Sequence, residues 1–194
     1  SMLQSDDAPL KLVSDFASCL RIDVTTADAS VAASDYSHFT QSLIAREAGY
    51  RIAHGTSRAK PLTLSFWVKA TKTGTNIVEL ENSDNSRQCS QAYTISATNT
   101  WEYKTVTFPG DTGGTVDNNS GSGIIVRWAL IAGSNEQGSA GSWTGSNIYA
   151  TSNQVNVLDS TSNDFYITGV QLEVGSVATD FEHKDLSIEF YQCF

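Results

Sequence analysis

The sequence is poor in basic residues, cysteine and long apolar runs, and each shortage excludes a class of protein. Only 12 of its 194 residues are Lys or Arg, against 21 Asp or Glu, so the formal net charge is −9. Nucleic acids and anionic lipid surfaces both attract clustered basic side chains, so neither is an expected partner. No apolar run approaches the roughly 20 residues that span a bilayer, and we expect no membrane insertion. A neutral glycan or a divalent cation would suit this charge balance.

The three cysteines, Cys19, Cys89 and Cys193, are far apart in the sequence. None has the paired spacing of a zinc site, and the odd number argues against a required disulfide framework. A chain of this length can bury roughly 70% of its unfolded surface, so it needs neither disulfides nor a metal to fold. We therefore predict three unpaired thiols, although one pair could bridge in an oxidising compartment.

The composition and the hydrophobic pattern both indicate β structure. Charged residues amount to only 17%, and Ser, Thr, Asn and Gly, which favour strands or turns, take their place. The clearest strand is LTLSFWVKA (residues 62–70), in which Phe66 and Val68 share an apolar face and Trp67 points the opposite way. Further predicted strands are residues 19–25, 38–44, 75–81, 91–96, 101–108, 124–132 and 165–174. Short strands separated by turns at roughly 8–15-residue spacing, without intervening helices, predict an all-β sandwich.

Only the ends of the chain have a helical pattern. Residues 185–194 begin at an acidic N-cap candidate and place their apolar residues on one face. We expect residues 3–182 to form one β-sandwich module, and residues 183–194 to form a helical linker toward a missing C-terminal region. Ser1 and Met2 are expected to be an expression remnant.

Aromatic side chains supply the first candidates for ligand binding, because sugar recognition combines an aromatic face with polar groups for hydroxyls. Trp67 is the leading candidate, since it points away from the apolar face of its strand. The alternative is that its ring packs beneath a loop or a neighbouring subunit. Trp143 and Tyr149 lie in a Gly- and Ser-rich excursion, residues 133–161, where exposed aromatic residues often serve binding. The alternative is that they anchor this loop to the core.

Two charged positions complete the candidate ligand-binding residues. Arg127 lies on the apolar strand IIVRWALIA and faces away from Trp128, a predicted core residue. Its side chain therefore either binds a ligand or lies at an exposed edge of the sheet. Glu79 and Glu81 share a strand face about 6.7 Å apart by strand rise, within the range of roughly 5–10 Å that a glycosidase uses. Exposed acidic pairs are common, however, the histidines are isolated, and no G-x-S-x-G nucleophile elbow is present. We therefore expect a non-catalytic protein in which Glu79 is a polar ligand contact.

Five motifs follow one another between residues 62 and 173: LTLSFWVKATKTGT, NIVELE, AYTIS, TWEYKTVTF and FYITGVQLE. Their order and spacing resemble the carbohydrate-binding modules that are associated with xylanases and cellulases. Those modules are galactose-binding-like jelly rolls. The resemblance therefore implies an antiparallel jelly-roll β-sandwich that binds a glycan or polysaccharide.

A closer resemblance is to modules in tail-fibre and other virion proteins of marine bacteriophages. It rests on RIDVTTAD (residues 21–28), TFPGDTGGT (residues 107–115) and YITGVQLEVGSVATDFEH (residues 166–183), the last of which is followed in those proteins by a short helix containing Cys. This resemblance implies a virion-surface, extracellular appendage that is trimeric or otherwise symmetric. It does not itself identify a ligand. Taken with the resemblance to carbohydrate-binding modules, it leads us to expect recognition of host-surface glycan; the alternatives are a purely structural virion domain that mediates oligomerisation and a polysaccharide-degrading enzyme.

The resemblance to carbohydrate-binding modules also implies a structural Ca²⁺, which those modules hold with carboxylates and carbonyls near the chain ends. Asp23, Asp28 and Glu173 are the acids available for it. The sequence has no ligand loop with the fixed spacing of an EF-hand, so the alternative is that these three are solvated acids of an acidic protein.

Overall fold

The structure, a computed structural model, describes residues 1–7, 16–146 and 148–183, without the side chain of Tyr50. Strands dominate the described residues, and one α-helix and one 3₁₀ turn accompany them. The strands are β1 (Met2–Ser5), β2 (Cys19–Asp23), β3 (Tyr36–Ile44), β4 (Leu62–Ala70), β5 (Gly74–Asn82), β6 (Arg87–Ile95), β7 (Glu102–Phe108), β8 (Ser122–Ala132) and β9 (Asp164–Val174). The helix α1 is Ala45–Ile52, and the 3₁₀ turn is Ser134–Glu136.

The strands form two antiparallel sheets that pack face to face. Sheet A has the order β1-β2-β9-β4-β7, and sheet B has the order β3-β8-β5-β6. From β2 to β9 the chain crosses between the sheets at almost every connection, with β5 and β6 as the one consecutive pair within a sheet. This is the strand order of a jelly roll. The predicted antiparallel β-sandwich of jelly-roll type is therefore confirmed.

The core lies between the sheets and is built by the alternation seen in the sequence. Phe66 and Val68 of β4 have no exposed surface, and Val78 of β5 is equally buried. Trp128 of β8 is 2% exposed and stacks on Phe39 with ring centroids 5.0 Å apart. Full burial of side chains of this size contributes about 1.5–3 kcal/mol each, so this layer supplies most of the driving force for folding.

Helix α1 was not predicted, because the sequence indicated helix only at the chain ends. It begins after Ile44, which makes no side-chain capping hydrogen bond. Two free backbone N–H groups at its start instead donate to loop carbonyls, from Ala45 to Gly121 (2.8 Å) and from Arg46 to Asn119 (2.9 Å). The helix therefore depends on tertiary contacts that a local pattern does not reveal.

The N-terminal residues and two of the cysteines lie in ordered parts of the fold. Met2, expected to belong to an expression remnant, starts strand β1 and pairs with Ile22 of β2. Cys19 and Cys89 are buried and unpaired, as predicted. The predicted helix over residues 185–194 and Cys193 lie outside the described residues. In the part of the chain that the structure describes, no helix is long and apolar enough to cross a membrane.

Candidate functional site

The outer face of sheet A carries an open aromatic surface where β4 meets the edge strand β7. Trp67 and Tyr103 are direct cross-strand partners, with ring centroids 5.4 Å apart and planes inclined at 49°. Trp67 is half-buried and Tyr103 is 43% exposed. Because Trp67 alternates with the inward Phe66, its ring stands outside the core, where the sequence places it.

Hydroxyl-bearing side chains follow the aromatic pair along the same two strands. Ser65 faces Thr105, and Thr63 faces Thr107, on the outer side of β4 and β7. Thr63 and Ser65 are buried, and the Oγ1 atoms of Thr63 and Thr107 lie 3.1 Å apart. Thr105 is exposed, so it places a hydroxyl at the surface beside the two rings, and sugar recognition uses both kinds of group.

The segment that follows β9, residues 176–183, returns across this face and forms a wall beside the aromatic pair. The turn begins at Gly175, whose φ of 132° suits glycine. The backbone N–H of Gly175 donates to the carbonyl of Pro61 (2.9 Å), and its carbonyl accepts from the Thr63 hydroxyl (2.8 Å). These bonds fix the start of the wall against sheet A.

Two outward side chains of β9 hold the rest of the wall. The carboxylate of Glu173 accepts from the backbone N–H of Thr179 (3.0 Å) and from its hydroxyl (2.5 Å). The side-chain carbonyl of Gln171 accepts from the backbone N–H of Glu182 (2.8 Å), and its amide donates to the carbonyl of Asp180 (3.3 Å). The bonds from Thr179 lower the pKa of Glu173 below its ordinary value.

Aromatic packing closes the far end of the wall. The rings of Phe16 and Phe181 meet edge to face at 4.8 Å, and His183 lies 4.9 Å from Phe181. Gly169 makes room for this cluster, because a Cβ there would lie 2.4 Å from the Phe16 ring. Gly169 also lies in a β-bulge, where β9 has one more residue than β4.

The floor and the wall together enclose a groove of about 860 Å³, which also includes Val177. Small-molecule sites have volumes of roughly 300–1,000 Å³, so the groove is large enough for a ligand of a few sugar units. Its lining residues lie on the outer face of sheet A and in the wall, so it is outside the core.

Glu79 and Arg127 form a closed charged cluster on the outer face of sheet B. They are cross-strand partners, with 3.2 Å between Arg127 Nη1 and Glu79 Oε1, and Nη2 of the same arginine pairs with Glu81. Glu79 has no exposed surface and the Glu81 side chain is 13% exposed, so these two carboxylates are not an exposed acidic pair, and Glu79 is closed to a ligand. Burial raises the pKa of Glu79 to about 7, and the neighbouring Arg127 opposes that rise.

The excursion after β8 is what seals this cluster. The backbone N–H of Ile148 donates to the side chain of Gln88 (3.0 Å), and the Ser90 hydroxyl donates to the Ile148 carbonyl (3.1 Å). Ala150 has no exposed surface and packs against Ile77. The excursion, whose sequence has no periodicity, thus covers an outer sheet face that the strand pattern alone predicts to be exposed.

The two aromatic candidates of the excursion have anchoring contacts. The Trp143 indole N–H donates to the Pro109 carbonyl (2.6 Å), and its ring packs against the core. Tyr149 stacks on Tyr36 with ring centroids 4.7 Å apart and lies 5.6 Å from the Arg127 guanidinium. These contacts are those of the alternative prediction, in which both residues attach the loop.

The candidate ligand-binding residues therefore do not form one site. Trp67 lies on sheet A, whereas Glu79, Arg127 and Tyr149 come together on the opposite outer face of the sandwich. Tyr103 was not among the predicted binding residues, although its position opposite Trp67 follows once β4 and β7 are paired. The wall was not predicted either, although it lies within the motif YITGVQLEVGSVATDFEH.

The acids proposed for calcium also fail to converge. Asp23 is paired across the sheet with Asp164, which precedes Glu173 by nine residues on β9, or about 30 Å along the strand. Asp28 accepts from the backbone N–H of Ser30 (3.2 Å), and Glu173 holds the wall. One ion cannot bind both Asp23 and Glu173, so the three acids do not form a single site. Among the described residues, no three His, Cys, Asp or Glu side chains form a group that could hold a metal.

The fold and the groove together define a jelly-roll β-sandwich with an aromatic surface groove. No protein-family model matches the sequence, and no curated protein matches it. Among solved structures, one match is the crystal structure of the enzymatically active domain of bacteriophage CBA120 tailspike protein 4, with 15% identity and a TM-score of 0.45. The match covers 90% of this chain and 18% of that chain.

Proposed function

We propose that the chain is a non-catalytic glycan-binding module, carried by a phage tail fibre or another virion-surface protein and directed at host-surface polysaccharide. The observation that carries the proposal is the Trp67–Tyr103 pair on the floor of an open groove. The C–H face of a sugar packs on such rings, and the adjacent Thr105 hydroxyl can bond to sugar hydroxyls. An open groove suits an internal stretch of a polysaccharide.

The virion context is supported by the sequence resemblance to phage tail-fibre modules. The motif that carries most of that resemblance, YITGVQLEVGSVATDFEH, is also the motif whose Gln171 and Glu173 hold the groove wall. The most specific sequence signal and the candidate site therefore coincide. Several copies on one symmetric appendage would give avidity to a site that is weak by itself.

The non-catalytic character is supported by the state of the acidic pair considered for glycosidase chemistry. A glycosidase needs two carboxylates that flank the scissile bond. Glu79 is sealed beneath the excursion and shares Arg127 with Glu81, so this pair does not face a substrate. Release of reducing sugar that disappears in E79Q would contradict the proposal and favour a polysaccharide-degrading enzyme.

Affinity electrophoresis tests the proposal directly. Native gels that contain dextran, mannan, galactan, xylan or hydroxyethyl-cellulose should retard the wild-type chain in at least one case. W67A and Y103A should each lose that retardation, because each removes one ring of the floor. Y36A is the matched control, since Tyr36 is an exposed aromatic residue on the other face. Equal retardation of the wild type, W67A and Y103A would reject the groove as the binding site.

A second candidate function is a structural virion domain whose groove is a subunit contact. The observation that favours it is the exposed apolar surface beside the groove, where Val177 is 74% and Phe181 is 36% exposed. This function requires a stable oligomer in which Trp67 is shielded. Light scattering combined with acrylamide quenching of tryptophan fluorescence would separate the two functions, because a monomer with accessible Trp67 excludes the subunit contact.

A further inference from the structure

The charges that line the groove indicate the kind of glycan it selects. Among the described lining residues, Asp180 provides a carboxylate and no Lys or Arg is present. The side chain of Asp180 is exposed, and it belongs to the wall beside the aromatic floor. A ligand in the groove therefore meets a carboxylate and no ammonium or guanidinium group among these residues, and the His183 ring lies on the same lining.

The basic residues nearest to the floor along its own strands are already paired. Lys69, two residues after Trp67 on β4, pairs with Asp7, and its ammonium lies 4.2 Å from the Tyr166 ring. Lys104, next to Tyr103 on β7, lies 2.5 Å from the carboxylate of Glu102. Moving either ammonium to a ligand would break an ion pair.

The position of Asp180 is fixed by the structure of the wall. Its carbonyl accepts from the Gln171 amide (3.3 Å), and the preceding Thr179 is held twice by Glu173. The backbone that carries the carboxylate is therefore tied to β9 on both sides of the residue. The carboxylate is therefore carried by a segment whose backbone is hydrogen-bonded to the sheet.

We propose that the groove selects uncharged glycans over acidic ones, and that Asp180 sets this selectivity. The proposal rests on the proposed function, since it assigns the ligand class of the same groove. A uronate or phosphate-bearing sugar on the Trp67–Tyr103 floor would bring its negative charge close to Asp180. Like charges without a counterion repel, and unfavourable contacts of this kind are a common source of specificity.

The test uses the neutral polysaccharide that retards the wild type and its carboxymethyl derivative, with hydroxyethyl-cellulose and carboxymethyl-cellulose as the first pair. The wild type should bind the carboxymethyl form at least about five-fold more weakly, the ratio that one close charge pair in water produces. D180N should recover most of the affinity for the acidic form, so that the preference for the neutral form is largely lost. E47Q removes one charge from helix α1, away from the groove, and should recover none.

The outcomes separate the selectivity from glycan binding itself. Equal affinity of the wild type for the neutral and acidic forms, with W67A still abolishing both, would overturn the selectivity and leave the proposed function intact. Recovery by E47Q as large as by D180N would assign the effect to net charge and also overturn the role of Asp180. Failure of the wild type to bind any polymer of the panel would reject both proposals.

Discussion

Asp111 is a buried carboxylate that holds the loop between β7 and β8. Its Oδ1 and Oδ2 accept from Arg87 Nε at 3.0 and 2.9 Å, and Oδ1 also accepts from the backbone N–H of Gly113 (3.0 Å). Arg87 lies against the loop backbone, since a Cβ at Gly114 would be 2.7 Å from Arg87 Cδ. The TFPGDTGGT motif therefore serves the fold, and its Gly113 and Gly114 provide space for an arginine.

At the residue scale we expect D111A to be among the most destabilising single substitutions. It leaves the partly buried Arg87 without its partner, and removal of one member of a buried pair costs about 3–5 kcal/mol. D117A, at an exposed aspartate of the same loop, should change stability by less than about 0.5 kcal/mol. Urea denaturation of both variants measures the difference. Equal unfolding midpoints for the two would contradict the role given to Asp111.

At the element scale, the strands were predictable where the pattern was local. Strand β4 has the predicted bounds, because nine residues alternate between faces and turn residues follow. Helix α1 was not predictable, because its first N–H groups bond to a loop more than 70 residues away in sequence, at Asn119 and Gly121. Contacts at such separation leave no periodic signal in the eight residues of the helix.

In the candidate site, too, local features were predictable and features that depend on distant contacts were not. The outward direction of Trp67 required only its position in an alternating strand. The burial of Glu79 could not be predicted, because it depends on an excursion whose Ser- and Gly-rich sequence has no periodicity. The wall could not be predicted either, since the bonds between Glu173 and Thr179 exist only after the chain turns at Gly175.

For the wall as an element, we expect E173A to release residues 176–182 without unfolding the sandwich. The substitution removes the carboxylate that accepts from the N–H and the hydroxyl of Thr179. E182A is the control, because it keeps the backbone N–H that donates to Gln171. Hydrogen–deuterium exchange at neutral pH should therefore accelerate in peptides from this segment for E173A only. Acceleration throughout the β-sandwich, or equal rates in the two variants, would contradict a local clamp.

The same clamp should respond to acid in a defined direction. Hydrogen bonds from Thr179 lower the pKa of Glu173 in the folded chain below its ordinary value of 4.5. A lowered pKa means that the stabilisation is complete above the ordinary value and is lost as the pH falls through the folded value. The Thr179 amide resonance in an NMR titration should report this transition below pH 4.5, and E173Q should abolish it.

At the scale of the whole molecule, the two outer faces of the sandwich differ in what covers them. Sheet A presents an open groove with an aromatic floor, and its wall is held by side-chain hydrogen bonds at the surface. On sheet B the excursion covers Glu79 and Arg127, and Trp143 and Tyr149 attach the excursion to the rest of the fold. Ligand binding and global stability should therefore be separable by mutation, with the first sensitive to Trp67 and the second to Glu79.

Global stability should depend on pH through Glu79. Burial raises its folded pKa to about 7, above the ordinary 4.5, so the folded state binds a proton that the unfolded state has lost between these values. The free energy of unfolding should therefore fall as the pH rises from 4.5 through 7, by on the order of 3 kcal/mol. E79Q is neutral at every pH and leaves Arg127 paired with Glu81, so it should lack this decrease. Urea denaturation at pH 5 and pH 8 measures both chains, and equal changes in the two would show that Glu79 does not control stability.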